Sequence, residues 1–174
     1  MRHLIRLALV ASLAVSTGCL PAAPTPIGSG SSGSATGTQG TMTAVIGPFQ
    51  WTANGRVTAT YAPSQSGVGT SILTISGLDS PLTEMLTFSI SSISQGSPLT
   101  IGTYQIGTTS TTANLMDANG TTYQASGANG SGTITVDSFS AATRTASGTF
   151  NLFVVQNGTA TTKAVSGGTY NVTF

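Results

Sequence analysis

Trp51-Thr52-Ala53-Asn54-Gly55-Arg56-Val57-Thr58-Ala59-Thr60-Tyr61 decides the fold class. Its odd positions carry Trp51, Ala53, Gly55, Val57, Ala59 and Tyr61, and its even positions carry Thr52, Asn54, Arg56, Thr58 and Thr60. Successive side chains of an extended chain point to opposite faces, so this alternation predicts strand with one face buried and one in solvent. Asn54-Gly55 in its middle is turn chemistry and divides the segment into two strands.

The same period returns downstream at Leu86-Thr-Phe88-Ser-Ile90, Ile134-Thr-Val136, Phe150-Asn-Leu152 on to Val154, and Tyr170-Asn-Val172-Thr-Phe174. No helix-period run interrupts it. Asn119-Gly120, Asn129-Gly130 and Asn157-Gly158 are hairpin signals between these runs. They also form Asn-x-Ser/Thr sequons, for which turn chemistry is explanation enough. Nine or ten antiparallel strands are expected, arranged as a sandwich or a closed barrel, the two ways to hide both the apolar faces and the sheet edges. Ser131-Gly132-Thr133, Ser147-Gly148-Thr149 and Ser166-Gly167-Gly168-Thr169 echo one another, and a glycine bend at the start of each strand accounts for the echo.

Upstream of this segment the composition changes twice. All eleven aromatic residues lie within residues 42–174, which form a single β domain with its own core. Residues 19–41 are rich in Pro, Gly, Ser and Thr and carry no charge, the composition of a linker that cannot bury enough apolar surface to order itself. Residues 1–18 read as a signal peptide. Arg2 and Arg6 precede the apolar run Leu7–Val15, which is too short to span a bilayer, and small residues follow at Ser16 and Gly18.

Cys19 comes next and is the only cysteine. A lone thiol has no disulfide partner in an oxidising compartment. Val15-Ser16-Thr17-Gly18-Cys19 resembles the bacterial lipobox, which implies cleavage before Cys19 and lipid on its sulfur. Ser16 stands where Leu is usual, and Ser16-x-Gly18 also suits ordinary signal peptidase, which leaves a free N-terminus. Two or more acyl chains give stable anchoring, whereas one gives only reversible binding. Leu20-Pro21-Ala22-Ala23-Pro24 contains no Asp, which by resemblance to lipoprotein sorting implies the outer membrane rather than the inner. No acidic cluster adjoins Cys19, which favours the periplasmic face.

The chemistry left for residues 42–174 is sparse. Arg56, Arg144 and Lys163 stand against Asp79, Glu84, Asp117 and Asp137, so the charge without the signal is 3 − 4 = −1. Three basic residues cannot track a phosphate backbone, which excludes nucleic acid as a partner. His3 is the sole histidine and belongs to the signal. Histidine triads and histidine metal sites are therefore excluded. A Ser–Lys dyad has Lys163 alone to draw on, without Ser-x-x-Lys spacing. Glu84 opens an expected strand, and Asp79, Asp117 and Asp137 adjoin expected turns, where Asp serves the backbone. Asp117-Ala118-Asn119-Gly120 has the opening of a calcium loop but lacks the further Asp and closing Glu that a hard cation needs. No catalytic residue, cofactor or metal site is expected. Trp51 is the one aromatic weighed as a sugar platform, and its register with Val57 and Tyr61 assigns it to the core.

With the strands laid out, the chain resembles a family of uncharacterised bacterial lipoproteins with an all-β domain of no assigned function. The carrying pieces are Thr43-Ala44-x-Ile46-Gly47 with Trp51-x-Ala53, then Leu73-x-Ile75-x-Gly77, Leu86-x-Phe88-x-Ile90 and Gly102-Thr103-Tyr104-x-Ile106. Tyr123, Ser131-Gly132-Thr133-Ile134-x-Val136, Ser147-Gly148-Thr149-Phe150 and Gly168-Thr169-Tyr170-Asn171-Val172-x-Phe174 follow. Ile46-Gly47-Pro48 stands where such sequences have Asp-Gly or Asn-Gly. The resemblance implies no catalytic residue. A rigid scaffold with Thr/Ser-rich faces, few charges and loops free to vary is the physical motive for the expected reading, a membrane-anchored envelope protein with a binding or structural domain whose partner is a glycan or an envelope protein. A small integral outer-membrane barrel and an envelope hydrolase with paired carboxylates are the competing readings.

Overall fold

The computed structural model describes residues 34–53, 56–65, 68–80, 83–107 and 110–174. Residues 1–33, with the expected signal peptide, Cys19 and most of the expected linker, lie outside them.

Strand parity organises the sheet. β3 (Phe49–Thr52) and β4 (Val57–Ala62) flank Asn54-Gly55, and Trp51, Ala53, Val57, Ala59 and Tyr61 are all buried as the alternation requires. The remaining strands are β1 (Ala35–Gly37), β2 (Gln39–Ile46), β5 (Ile72–Leu78), β6 (Met85–Ser91), β7 (Gly102–Gln105) and β8 (Thr112–Met116). The chain continues through β9 (Thr122–Ala125), β10 (Ser131–Ser140), β11 (Thr145–Gln156) and β12 (Thr162–Thr173). All pairings are antiparallel, and no helix occurs among the described residues.

Twelve strands exceed the nine or ten expected. The excess comes from short strands and from β1 and β2, which begin inside the segment expected as linker. That segment's Thr, Ser and Gly are also the alphabet of this sheet's outer face, so composition alone does not separate the two.

The hydrogen-bonded ladder runs β4–β5–β6–β8–β9–β11–β12–β2. It returns on itself, because β1 pairs β4 and joins β2 across Thr38 alone. The result is a closed barrel. Its joints are narrow: β1 meets β4 over three residue pairs, and β9 meets β11 over two. Between them, β4, β5, β6, β8 and β9 form one layer, and β11, β12 and β2 form the other. β3 extends the second layer at one edge, and β10 with β7 at the other.

The interior is filled by apolar side chains, with Phe88, Phe150, Phe174, Met42, Leu73 and Ile75 among the largest fully buried. Phe88 of the first layer meets Phe150 at 5.2 Å and Tyr170 at 5.4 Å in the second, so aromatic rings join the layers across the middle. The Tyr170 hydroxyl donates to the Thr135 carbonyl at 3.1 Å. Burial, with Asp137 and Tyr104 nearby, pushes that phenol well above its ordinary value. The Trp51 indole N–H is buried without a hydrogen-bond partner among the described residues, a cost of about 1–3 kcal/mol set against the burial of the ring.

The Ser-Gly echo has a different cause from the one expected. Gly132 does sit at the start of β10, but Gly148 and Gly168 lie inside β11 and β12. A Cβ on Gly148 would strike the Thr135 carbonyl and the Tyr170 ring, and one on Gly168 would strike the Phe150 ring. Each adjoins a register shift, between Val136 and Ser138 or between Ser166 and Thr169. The glycines make room for core rings at bulges. Asp137 is accordingly the extra residue of a bulge in β10 and not a turn residue.

Asn119-Gly120 and Asn157-Gly158 do connect paired strands, β8–β9 and β11–β12. Asn129-Gly130 does not. The tight turn there is Ser126 to Asn129, closed by reciprocal backbone bonds, and β9 and β10 both pair with β11 rather than with each other. The strand registers sort the connections onto two rims. One holds the β2–β3, β5–β6, β8–β9 and β11–β12 connections, with Arg56 bonded through its carbonyl to Leu78 beside them, and is the Lys163 rim. The other, the Ser71 rim, holds the β4–β5, β6–β7 and β10–β11 connections together with Ala35 and Phe174.

Candidate functional site

The Lys163 rim collects the charge. Seven charged residues lie within residues 34–174, and five of them, Arg56, Asp79, Glu84, Asp117 and Lys163, sit at or beside its connections. Two of its carboxylates are committed to the backbone. Asp79 Oδ1 accepts the N–H groups of Thr83 and Glu84, each at 2.7 Å, and Oδ2 accepts the Thr83 hydroxyl. Burial opposes its charge, but those bonds outweigh burial and hold the carboxyl below its ordinary range.

Asp117, directly after β8, does the same for the Asn119-Gly120 turn. Its Oδ1 accepts the N–H groups of Asn119 and Thr121 at 3.0 Å, and its Oδ2 accepts Lys163 Nζ at 2.9 Å. The side chain is 8% exposed. Burial again raises its pKa, and the Lys163 ammonium with the two backbone donors brings it below the usual carboxylate value. The Asp117-Ala118-Asn119-Gly120 motif is thus a turn whose carboxylate is neutralised by a lysine. Among the described residues, no group of three or more metal-ligating side chains converges.

Lys163, in the second position of β12, reaches Asp117 across 46 residues of sequence and lies 4.5 Å from the centre of the Tyr123 ring. Burial lowers its pKa, but the Asp117 bond and charge, together with Tyr123 and Glu84, raise it overall. The ammonium is fixed and charged, the reverse of the neutral amine a Ser–Lys dyad requires.

Glu84 differs from its neighbours. Its carboxylate takes no hydrogen bond among the described residues, and it lines a cleft of ≈ 290 Å³ with Lys163, Thr162, Pro48 and Phe49. Burial raises its pKa first of all; Lys163 opposes this, and Asp79 and Asp117 add to it.

Phe49 completes the cleft. It has the parity of buried Trp51 and stands opposite buried Ile46, yet it is 73% exposed at the first position of β3, an edge strand that pairs with β2 alone. The turn before it is a two-residue hairpin, with Ile46 opposite Phe49. Gly47 has φ +59°, and Pro48 fixes its own φ near about −65°. That order of signs is a type II′ turn, so Gly-Pro replaces Asn-Gly without loss of the hairpin. Gly47 N–H also donates to the Ala164 carbonyl at 3.0 Å, which pins the turn to β12.

Sequence reasoning placed Trp51 correctly in the core but missed three features: Phe49 as the exposed ring, the Asp117–Lys163 pair, and Glu84 beside it. The only sequence signal for Phe49 was its parity, and that pointed inward. Cys19 lies outside the described residues.

The fold and this rim define an all-β, antiparallel, closed-sheet domain with a polar outside and an apolar filling. The family model described as a domain of unknown function (DUF6252) matches residues 49–173, most of that sheet, and the chain belongs to that family. No curated protein and no solved structure matches the chain.

Proposed function

We propose that this chain is an exported bacterial envelope protein, held to a membrane by lipid on Cys19, whose β domain is a non-catalytic binding or structural module. The observation that carries the reading is Cys19 itself: the only cysteine, directly after a signal-like run, and 35 − 19 = 16 residues ahead of the first strand. Sixteen residues reach at most about 55 Å, enough to hold the sheet clear of a bilayer. The absence of Asp in residues 20–24 and of an acidic cluster beside Cys19 supports the outer membrane and its periplasmic face, by resemblance to lipoprotein sorting.

The competing readings fare worse on the geometry. A lipid-facing barrel carries its apolar band outside. Here the outward positions in the middle of β4, β5 and β6 are Thr58, Thr60, Thr74, Ser76, Thr87 and Ser89, joined by hydroxyl pairs such as Thr74 with Ser89 at 2.9 Å, and the apolar outward residues Ala62, Ile72, Leu78 and Met85 stand only at the strand ends. A hydrolase with paired carboxylates needs two of them facing one cleft. The Lys163-rim cleft is lined by one, Glu84, while Asp79 and Asp117 point into their own turns.

Cys19→Ala tests the anchor. The unmodified chain is expected to sediment with membranes, to partition into detergent, and to carry the mass of a diacylglyceryl group. The variant is expected to be released and to lack that mass. Equal membrane retention with no mass difference would falsify the anchor.

A further inference from the structure

We propose that the cleft at the Lys163 rim is a binding site for a neutral saccharide ring, stacked on Phe49 and hydrogen-bonded by Glu84 and Lys163. The proposal rests on the reading of the domain as a binding module and names its ligand.

Three features built from different strands converge there. Phe49 offers an apolar ring that the core does not use, held on a two-residue turn tied to β12. The C–H face of a pyranose carries slight positive charge and meets the negative face of an aromatic ring. Glu84 offers an acceptor that no turn consumes. Lys163 offers a donor already oriented, since one bond to Asp117 and one contact with Tyr123 fix the ammonium and leave further N–H capacity. A site whose donors are pre-oriented loses less entropy on binding.

Charge selects the class of ligand. An anion entering the cleft meets Glu84 directly, with Asp79 and Asp117 behind it, and a cation meets Lys163. A neutral polyol uses both groups without opposing either. Size agrees, because ≈ 290 Å³ is at the small end of ligand pockets and suits one ring with its neighbours in solvent. The raised pKa of Glu84 is consistent with a carboxylate short of partners until a hydroxyl donor arrives.

The test uses the full chain with Cys19→Ala, probed on an array of neutral, acidic and amino saccharides and then titrated with the best neutral one. Binding to at least one neutral saccharide is expected. Phe49→Ala should weaken it by about tenfold or more, a change of about 1.4 kcal/mol, and Glu84→Gln by several-fold. Phe153→Ala, which removes another exposed ring on the outer face of β11, should leave it unchanged. Phe49 is a surface residue, so an unaltered melting curve for Phe49→Ala separates lost contact from lost fold. No binding to any neutral saccharide at about 10 mM overturns the proposal, as does binding confined to charged saccharides or binding indifferent to Phe49→Ala. Lipid anchoring is read by mass and fractionation, so a blank array leaves that reading standing.

Discussion

The two rims of this barrel solve the same problem with different chemistry. Each must satisfy the backbone where strands end. The Lys163 rim does so with charge: Asp79 and Asp117 gather four backbone N–H groups between them, and Lys163 neutralises Asp117. The Ser71 rim does so with hydroxyls. Ser71, fully buried, accepts the Ser64 N–H at 3.1 Å and donates to the Ser97 carbonyl at 2.9 Å, and its own N–H donates to the Ser92 hydroxyl at 3.0 Å. Nearby, Tyr61, Phe139 and Phe174 close the interior with ring centres 4.9–5.7 Å apart. The difference teaches where to look for function. The hydroxyl rim is self-contained in its buried polar groups, with the buried serine hydrogen-bonded on both sides, and what its connections expose is the apolar Val68, Ile93 and Ile101 with no charged group beside Ser71. The charged rim leaves Glu84 and Phe49 unused by the fold, and it lies opposite the rim where Ala35 joins the sheet.

The largest effect that breaks the comparison is expected at Asp117. Asp117→Ala removes two backbone acceptors and strands the Lys163 ammonium, a loss of about 2–3 kcal/mol in urea unfolding at pH 7. Its folded pKa is depressed, so the stability it contributes is present above the unfolded value of about 3.9 and is lost as pH falls through the lower folded value. The gap between the parent chain and Asp117→Ala should therefore close in acid. A pH-independent gap would mean that the turn, not the charge, is what Asp117 supplies.

Ser71→Ala comes next, at about 1–2 kcal/mol, because it leaves the Ser64 N–H and Ser97 carbonyl without their partner. No titratable group takes part, so its loss should be the same at pH 7 and in acid. Measuring both variants across pH separates the two rims by mechanism rather than by size. If the Ser71→Ala loss tracks pH, the hydroxyl network is not the self-contained device described above.

Much of the fold was legible because a period of two is hard to disguise. Trp51, Ala53, Val57, Ala59 and Tyr61 were placed on the buried face from parity alone. β1 was not legible, since Ala35-Thr36-Gly37 has neither large apolar residues nor a period and takes its order from β4. The bulges at Gly148 and Gly168 were visible as a motif but not as a cause, because the rings they admit, Tyr170 and Phe150, are known only once the strands are paired. The site was less legible than the fold. Asp117 and Lys163 meet only after β8, β9, β11 and β12 are in register. Phe49 shares the parity of the core, and what exposes it is its place at the start of an edge strand, which is known only once β3 is seen to pair with β2 alone.

The smallest effect sharpens the comparison most, because it asks whether Glu84 is a structural residue at all. Its folded pKa is raised, by burial first and by Asp79 and Asp117 after that, with Lys163 opposing. A raised carboxyl binds its proton more tightly in the folded state than in the unfolded state. Any stability linked to that proton is present below the unfolded pKa of about 4.3 and is lost as pH rises through the folded value. At pH 7 Glu84 is therefore a cost to the fold, the opposite sign from Asp117 on the same rim. Glu84→Gln should melt slightly higher than the parent chain at pH 7, and the two should converge below about pH 4, where the carboxyl is protonated in both states. A lower melting temperature at pH 7 would show that Glu84 holds the rim together as Asp79 and Asp117 do. A higher one means the fold retains a destabilising carboxylate at the mouth of a cleft, and the several-fold loss of saccharide binding expected for the same variant is what makes that retention intelligible.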